Sequence, residues 1–316
     1  MFKKREVPIY IFTGFLESGK TSFIEEVLKE GQFEEGGNKV LIVCEEGEVE
    51  LDEALLAKSK FKVYTFEDES EVTPEKLMEI EKSDRPETVL VEWNGMWDEN
   101  TLIEAFPDQW MIAEGIATVN AVTYEDYLNN MKMLMLNQFN YADLIVFNRC
   151  KEEMDLAGFK RTARAKNRGA QVIFEMADGT INDKVKEELP YDITAPVIEI
   201  ADDDFGIWYL DCFDNMDKYI GKVFKFKGVV YKPKKGKPDV FVPGRFAMTC
   251  CAEDIQFVGF PCKYEGAADL KEKQFVMVTA RMDKAMSKTY GQEAPVLYAE
   301  SVEKAEPAKE EVVYFQ

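Results

Sequence analysis

Residues 8–22, Pro-Ile-Tyr-Ile-Phe-Thr-Gly-Phe-Leu-Glu-Ser-Gly-Lys-Thr-Ser, constrain the chain more than any other stretch. The apolar run Ile9 to Phe12 reads as a buried strand, and Phe23, Ile24, Val27 and Leu28 carry the spacing of a helix. Between them stands Gly14-x-x-x-x-Gly19-Lys20-Thr21, a P-loop in strand, loop and helix context. The spacing has a physical reason. Glycines let backbone N–H groups curl around phosphate oxygens, the helix N-terminus adds positive potential, and a lysine there reaches the β- and γ-phosphates while the hydroxyl takes Mg²⁺. The expected nucleotide contacts are Gly14, Glu17, Ser18, Gly19, Lys20, Thr21 and Ser22, with Lys20 also acting in catalysis.

Strands alternate with helices after this loop. Lys39–Cys44, Phe61–Phe66, Thr88–Glu92, Gly115–Ala121, Asp143–Asn148 and Ala170–Phe174 read as strands; Thr73–Lys82, Tyr124–Gln138 and 152–167 read as helices. The expectation is an α/β domain over residues 1–200, a parallel sheet with helices on both faces and its ligand site at the carboxyl ends of the strands. An acidic break at Asp202 to Asp204 opens a linker and connecting helix over 201–220. Five short strands over 221–302, punctuated by glycine and proline, suit a small all-β barrel of OB type, and 303–316 reads as a loose charged tail.

With 316 residues, two cores fit the length. The chain contains no histidine, which excludes Ser-His-Asp and Cys-His catalysis and leaves carboxylates, lysine, cysteine or water to move protons. Lys3, Lys4 and Arg5 precede an apolar stretch that Gly14, Glu17 and Lys20 interrupt, so neither a signal segment nor membrane insertion is expected, and the reading is cytoplasmic. The net charge of −21 argues against binding of nucleic acid at large. From Tyr219 to Glu300, however, 14 basic residues face nine acidic ones. The lysines between Lys222 and Lys237, interleaved with Phe224, Phe226 and Tyr231, read either as a single-stranded nucleic-acid surface or as a hairpin that docks on the acidic domain; aromatics at alternate positions favour a barrel core and hence the second.

Four ordered blocks resemble the CobW-like P-loop GTPases, related to nickel and cobalamin accessory GTPases. They are Gly14 to Ser22, the acidic Glu45 to Asp52, Glu92-Trp93-Asn94-Gly95 at the end of a strand, and Ala142-Asp143-Leu144-Ile145-Val146-Phe147-Asn148-Arg149. The resemblance implies GTP as ligand, Mg²⁺ held through Thr21 and Glu92, Glu48 helping to orient the attacking water, Asn148 and Arg149 at the base, and a switch role in metal homeostasis, with zinc as the metal. Two departures stand out. The family's guanine-reading aspartate is replaced by Lys151, and a lysine cannot accept a hydrogen bond. The Cys-x-Cys-Cys expected before Glu92 is missing.

Residues from about 219 to 314 resemble the soluble C-terminal region of YcgQ-like bacterial proteins, which act beside predicted permeases; Gly244 to Asp254 and Val258 to Cys262 carry the likeness. A permease or a metal-dependent client is the implied partner. Cys250, Cys251 and Cys262 could offer thiolates to Zn²⁺. Against that, neighbouring residues on a strand point to opposite faces, which separates Cys250 from Cys251 unless a bulge intervenes. Two readings follow: a Mg²⁺-dependent nucleotide hydrolase acting as a slow switch, and a degenerate P-loop adaptor that binds a partner through its barrel.

Overall fold

The computed structural model describes residues 5–45, 47, 51–182, 185, 189–234, 237–249, 254–287 and 291–315. The chain divides into two compact units, one made of residues 1–156 and 166–185, the other of 157–165 and 186–316.

In the first unit the chain runs β1 (Val7–Thr13), α1 (Lys20–Lys29), β2 (Lys39–Val43), α2 (Glu53–Lys58), β3 (Phe61–Thr65), α3 (Pro74–Asp84), β4 (Thr88–Glu92) and α4 (Glu99–Glu104). It continues through β5 (Trp110–Asn120), α5 (Tyr124–Asn130), α6 (Lys132–Asn137), β6 (Leu144–Cys150), α7 (Leu156–Lys166), β7 (Gln171–Met176) and β8 (Ile181–Asn182); residues 157–165 of α7 count with the second unit. The strand order is β3-β2-β4-β1-β5-β6-β7-β8, parallel except for β8. The expected α/β parallel sheet is therefore present. Alternation within the strands sends side chains to two cores. Val7, Ile9, Ile11, Val40, Ile42, Val89 and Val91 pack with Leu77 and Ile80 of α3 and Leu102 of α4. Phe12, Leu41, Leu90, Ile116 and Val146 pack with Ile24 and Leu28 of α1 and Leu56 of α2.

The expected single helix over Tyr124–Gln138 is broken at Met131, whose φ of −136° and ψ of 39° interrupt the helical ladder. The helix expected over 152–167 begins only at Leu156. Strand β5 begins five residues earlier than the apolar run suggested, because Trp110 and Ile112 pair with Val7 and Ile9 although half of that segment is exposed. Among the described residues no helix is long and apolar enough to cross a membrane.

The second unit contains β9 (Ile198–Glu199), α8 (Phe205–Asp214), β10 (Val223–Tyr231), β11 (Val240–Ala247), β12 (Gln256–Gly259), β13 (Cys262–Lys263), β14 (Phe275–Met286), β15 (Glu293–Lys304) and β16 (Val312–Val313). Its pairings close on themselves: β10 with β11, β11 with β13, β13 with β15, β15 with β14, and β14 with β10. Of these, only β13 with β15 is parallel. Phe224 and Phe226 are buried inside, as alternation predicts, whereas Tyr231 is exposed. Two segments differ from expectation. Helix α8, read as a connection, is core: Trp208 is fully buried against Phe224, Phe226 and Phe260. The tail from residue 303, read as loose, is pinned: β15 runs on to Lys304, β16 pairs with β11, and Val313 and Phe315 are buried. Burial of these apolar residues outweighs the charges before them, at about 1.5–3 kcal/mol for each large side chain.

Candidate functional site

The loop between β1 and α1 is shaped by two glycines that no other residue could replace. Gly14 sits at φ 143°, and a Cβ there would lie 2.4 Å from Ser18 Oγ and 2.5 Å from the Thr118 carbonyl. Gly19, at φ 100°, caps α1, and its Cβ would lie 2.8 Å from Asn148 Nδ2. The Ser18 N–H donates to the Phe15 carbonyl at 3.0 Å, and Ser18 Oγ shares a 2.8 Å hydrogen bond with Thr118 Oγ1. Glu17 adopts φ 61° and is exposed at the rim of the adjoining cleft, so its carboxylate does not fill the loop.

Lys20 is only 3% exposed. Its Nζ donates to the carbonyls of Gly14 at 2.8 Å and Phe15 at 3.1 Å, and to Glu45 Oε2 at 2.5 Å. Thr21 Oγ1 donates to Glu92 Oε1 at 2.6 Å. Burial holds the Glu92 carboxyl above the usual range, and the Glu45 charge acts the same way, against the Thr21 hydrogen bond and the Lys20 charge. A cleft of about 220 Å³ lies between these groups, lined by Lys20, Thr21, Ser22, Glu45, Glu92 and Arg149 among others. A buried cation and a helix N-terminus suit phosphate oxygens. The hydroxyl and carboxylate are hard oxygen donors, and a buried carboxylate that, among the described residues, accepts only from a neutral hydroxyl suits a divalent cation; the residues present therefore fit Mg²⁺.

Asn148 and Arg149 do something the sequence did not suggest. Asn148 Nδ2 donates to the Ser18 carbonyl at 2.7 Å, and Arg149 Nη1 to the Glu17 carbonyl at 2.9 Å. Both brace the loop from the end of β6. Asn148 Oδ1 is buried without a partner among the described residues. The structure thus brings together Gly14, Glu17, Ser18, Gly19, Lys20, Thr21, Ser22, Glu92, Asn148 and Arg149. Glu48, Cys250 and Cys251 lie outside the described residues. Cys262 is buried in β13, and burial pushes its thiol up to about 12, away from the thiolate that zinc requires. Among the described residues no group of three metal-ligating side chains gathers.

Sequence reasoning placed Glu45 at the start of an acidic block and did not see it as the partner of Lys20. The pairing exists because β2 and β4 are in register at Val43 and Glu92, so the residue two places past Val43 reaches the cleft. Glu45 stands on the ammonium that a phosphate would need. Glu45→Gln is therefore expected to bind a triphosphate about tenfold more tightly than the parent, since it removes a charged competitor worth about 1.5–3 kcal/mol. Equilibrium titration with a fluorescent triphosphate reads this, and equal or weaker binding would refute it.

The CobW/HypB/UreG nucleotide-binding domain matches residues 8–174, and the DUF1980 C-terminal domain matches residues 175–315. No curated protein matches the chain. Similar solved structures include the hydrogenase maturation factor HypB from Archaeoglobus fulgidus, 17% identical, covering 55% of this chain and 82% of that one at a TM-score of 0.39. The Zn(II)-bound YjiA GTPase from E. coli is 16% identical, covering 75% and 86% at 0.41. HypB from Helicobacter pylori in complex with nickel is 12% identical, covering 54% and 80% at 0.37. Because the first match spans more than half of the 316 residues, the chain belongs to the CobW/HypB/UreG family, and residues 8–174 are its nucleotide-binding domain.

Proposed function

We propose that the chain binds and slowly hydrolyses a nucleoside triphosphate, GTP by its family membership, in a Mg²⁺-dependent manner. It then acts in the cytoplasm as a switch whose nucleotide state governs the second unit or a client in metal homeostasis, with zinc as the metal. The observation that carries the reading is the pairing of Thr21 with buried Glu92 beside Lys20 at the carboxyl ends of β1 and β4. Lys20 and the loop amides would hold the phosphates, and Thr21 and Glu92 would hold the cation. Bound there, Mg²⁺ would neutralise phosphate charge. Glu48 remains our candidate for orienting water. The ring of strands in the second unit has the order and the single parallel pair of an OB-type barrel, which supports a partner-binding role, with a permease as one candidate.

A second reading, an adaptor that holds nucleotide weakly, is favoured by Lys151 at the base end and by Glu45 occupying Lys20. Titration with GTP, ATP and their diphosphates, with and without Mg²⁺, followed by phosphate-release assays, separates the two. We expect micromolar or tighter triphosphate binding, weakened about a hundredfold by Lys20→Ala as a charge-assisted contact of about 3 kcal/mol is lost. Absence of binding below millimolar concentration would leave the adaptor.

A further inference from the structure

Gln138 follows α6 and, at 3% exposure, is one of the few buried polar residues of the first unit. Its backbone carbonyl accepts from Thr13 Oγ1 at 3.1 Å. Its side-chain Nε2 donates to the Gly95 carbonyl at 2.6 Å and to the Leu134 carbonyl at 3.2 Å, while Oε1 is buried without a partner among the described residues. Thr13 is the last residue before the phosphate loop, and Gly95 is the third after Glu92. One residue therefore ties the chain leaving β1 to the chain leaving β4.

That tie falls where the sheet no longer supplies one. The β1–β4 ladder ends at Phe12 and Glu92, with a last bond from the Trp93 N–H to the Phe12 carbonyl at 2.9 Å. Beyond it the two segments meet by close approach: a Cβ on Gly95 would lie 2.4 Å from the Gly14 carbonyl oxygen and 2.9 Å from the Phe15 nitrogen. Such contact fixes position only while something holds the segments together, and the amide of Gln138 is directed at that point. Lys20 and the loop amides travel with β1; Glu92 travels with β4.

We propose that Gln138 is a positioning residue that holds Gly95 against Gly14, and thereby keeps the Glu92 carboxylate at Thr21, so that triphosphate binding gains from Mg²⁺. This rests on the nucleotide reading above and adds to it a residue that touches neither phosphate nor cation. It also separates two parts of the binding. Lys20 and the loop amides are carried by β1 and α1, whereas the side chain of Gln138 bears on the chain that leaves β4 at Glu92.

The test measures affinity for fluorescent GTP and for GDP in Mg²⁺ and in EDTA, for the full chain and for Gln138→Met, which keeps the length of the side chain and removes the donor. The expected result is affinity in EDTA unchanged within twofold and a roughly tenfold loss of the gain that Mg²⁺ brings to GTP. A purely structural role would weaken binding equally in both buffers, and that outcome, or no change in either, overturns the proposal. If Gln138→Met does not fold, Gln138→Asn, which shortens the side chain by one carbon and withdraws the donor from the Gly95 carbonyl, is read by the same criterion: Mg²⁺-specific loss supports the proposal and uniform loss overturns it. Failure of the parent chain to bind any nucleotide would instead remove the nucleotide reading, and this inference with it.

Discussion

Glu99→Gln is expected to stabilise the first unit by about 4 kcal/mol at pH 8.5 and to leave it unchanged at pH 4. Glu99 lies in α4, 6% exposed, with both carboxyl oxygens buried and without partners among the described residues. It lines a water-sized cavity with Thr13, Gly115, Ile116 and Tyr141. Burial pushes its carboxyl up from 4.5 to about 8; Asp98 adds to the rise and Lys166 opposes it. A group raised on folding contributes stability that is complete below its unfolded value and is lost as pH rises through its folded value. The loss here runs from about pH 4.5 to about pH 8. Glutamine keeps the shape and carries no charge, so its stability is flat across that window with respect to this site. Denaturant midpoints at pH 4, 6 and 8.5 measure the difference. Parallel curves for the two proteins would show that Glu99 reaches solvent or a cation when it ionises.

Asp211→Ala is expected to cost the second unit about 3–5 kcal/mol, and Asp211→Asn less than half of that. Asp211 on α8 is buried and accepts hydrogen bonds from the Tyr219 hydroxyl, from Lys218 Nζ at 3.0 Å and from Asn215 Nδ2 at 2.6 Å. The Tyr219 hydroxyl lies 3.2 Å from that of Tyr191. Truncation leaves the buried Tyr219 hydroxyl, the Lys218 ammonium and the Asn215 amide without their acceptor, whereas asparagine still accepts through one oxygen. Burial already holds both phenols far above their usual range, so neither can ionise to compensate. Urea unfolding followed by fluorescence of Trp208, with the tryptophans of the first unit replaced, reads the second unit separately. A change below about 1 kcal/mol would mean that water replaces the carboxylate.

Local rules made part of this protein legible. The phosphate loop could be read because its requirements are consecutive: a buried strand, glycines at the positive-φ positions and a helix N-terminus within a dozen residues. The longer strands of both units could be read because alternation and apolar runs report burial directly, whereas the two-residue strands β8, β9, β13 and β16 could not. What failed was of another kind. Helix α8 resembled a connection because its aromatic residues were mixed with acids, and one of those acids, Asp211, proved to be satisfied by residues four to eight positions away. The tail looked loose because its charges precede the apolar Val312, Val313 and Phe315 that anchor it. Gln138 stands beside Asn137 and close to Asn140, so nothing in the sequence singled it out as the buried polar group. Its partner, 43 residues earlier, was not readable.

The sequence by itself determined the phosphate-binding loop, the succession of strands and helices and the absence of any histidine chemistry. The tertiary structure alone decided what the charged groups of that loop face. Lys20 meets Glu45 across 25 positions, Thr21 meets Glu92 across 71, and Asn148 turns back to Ser18 across 130. These pairs are set by the register of parallel strands, in which Glu92 stands beside both Phe12 and Val43. Register is fixed by how whole side-chain faces bury together, and no short stretch of sequence contains that information.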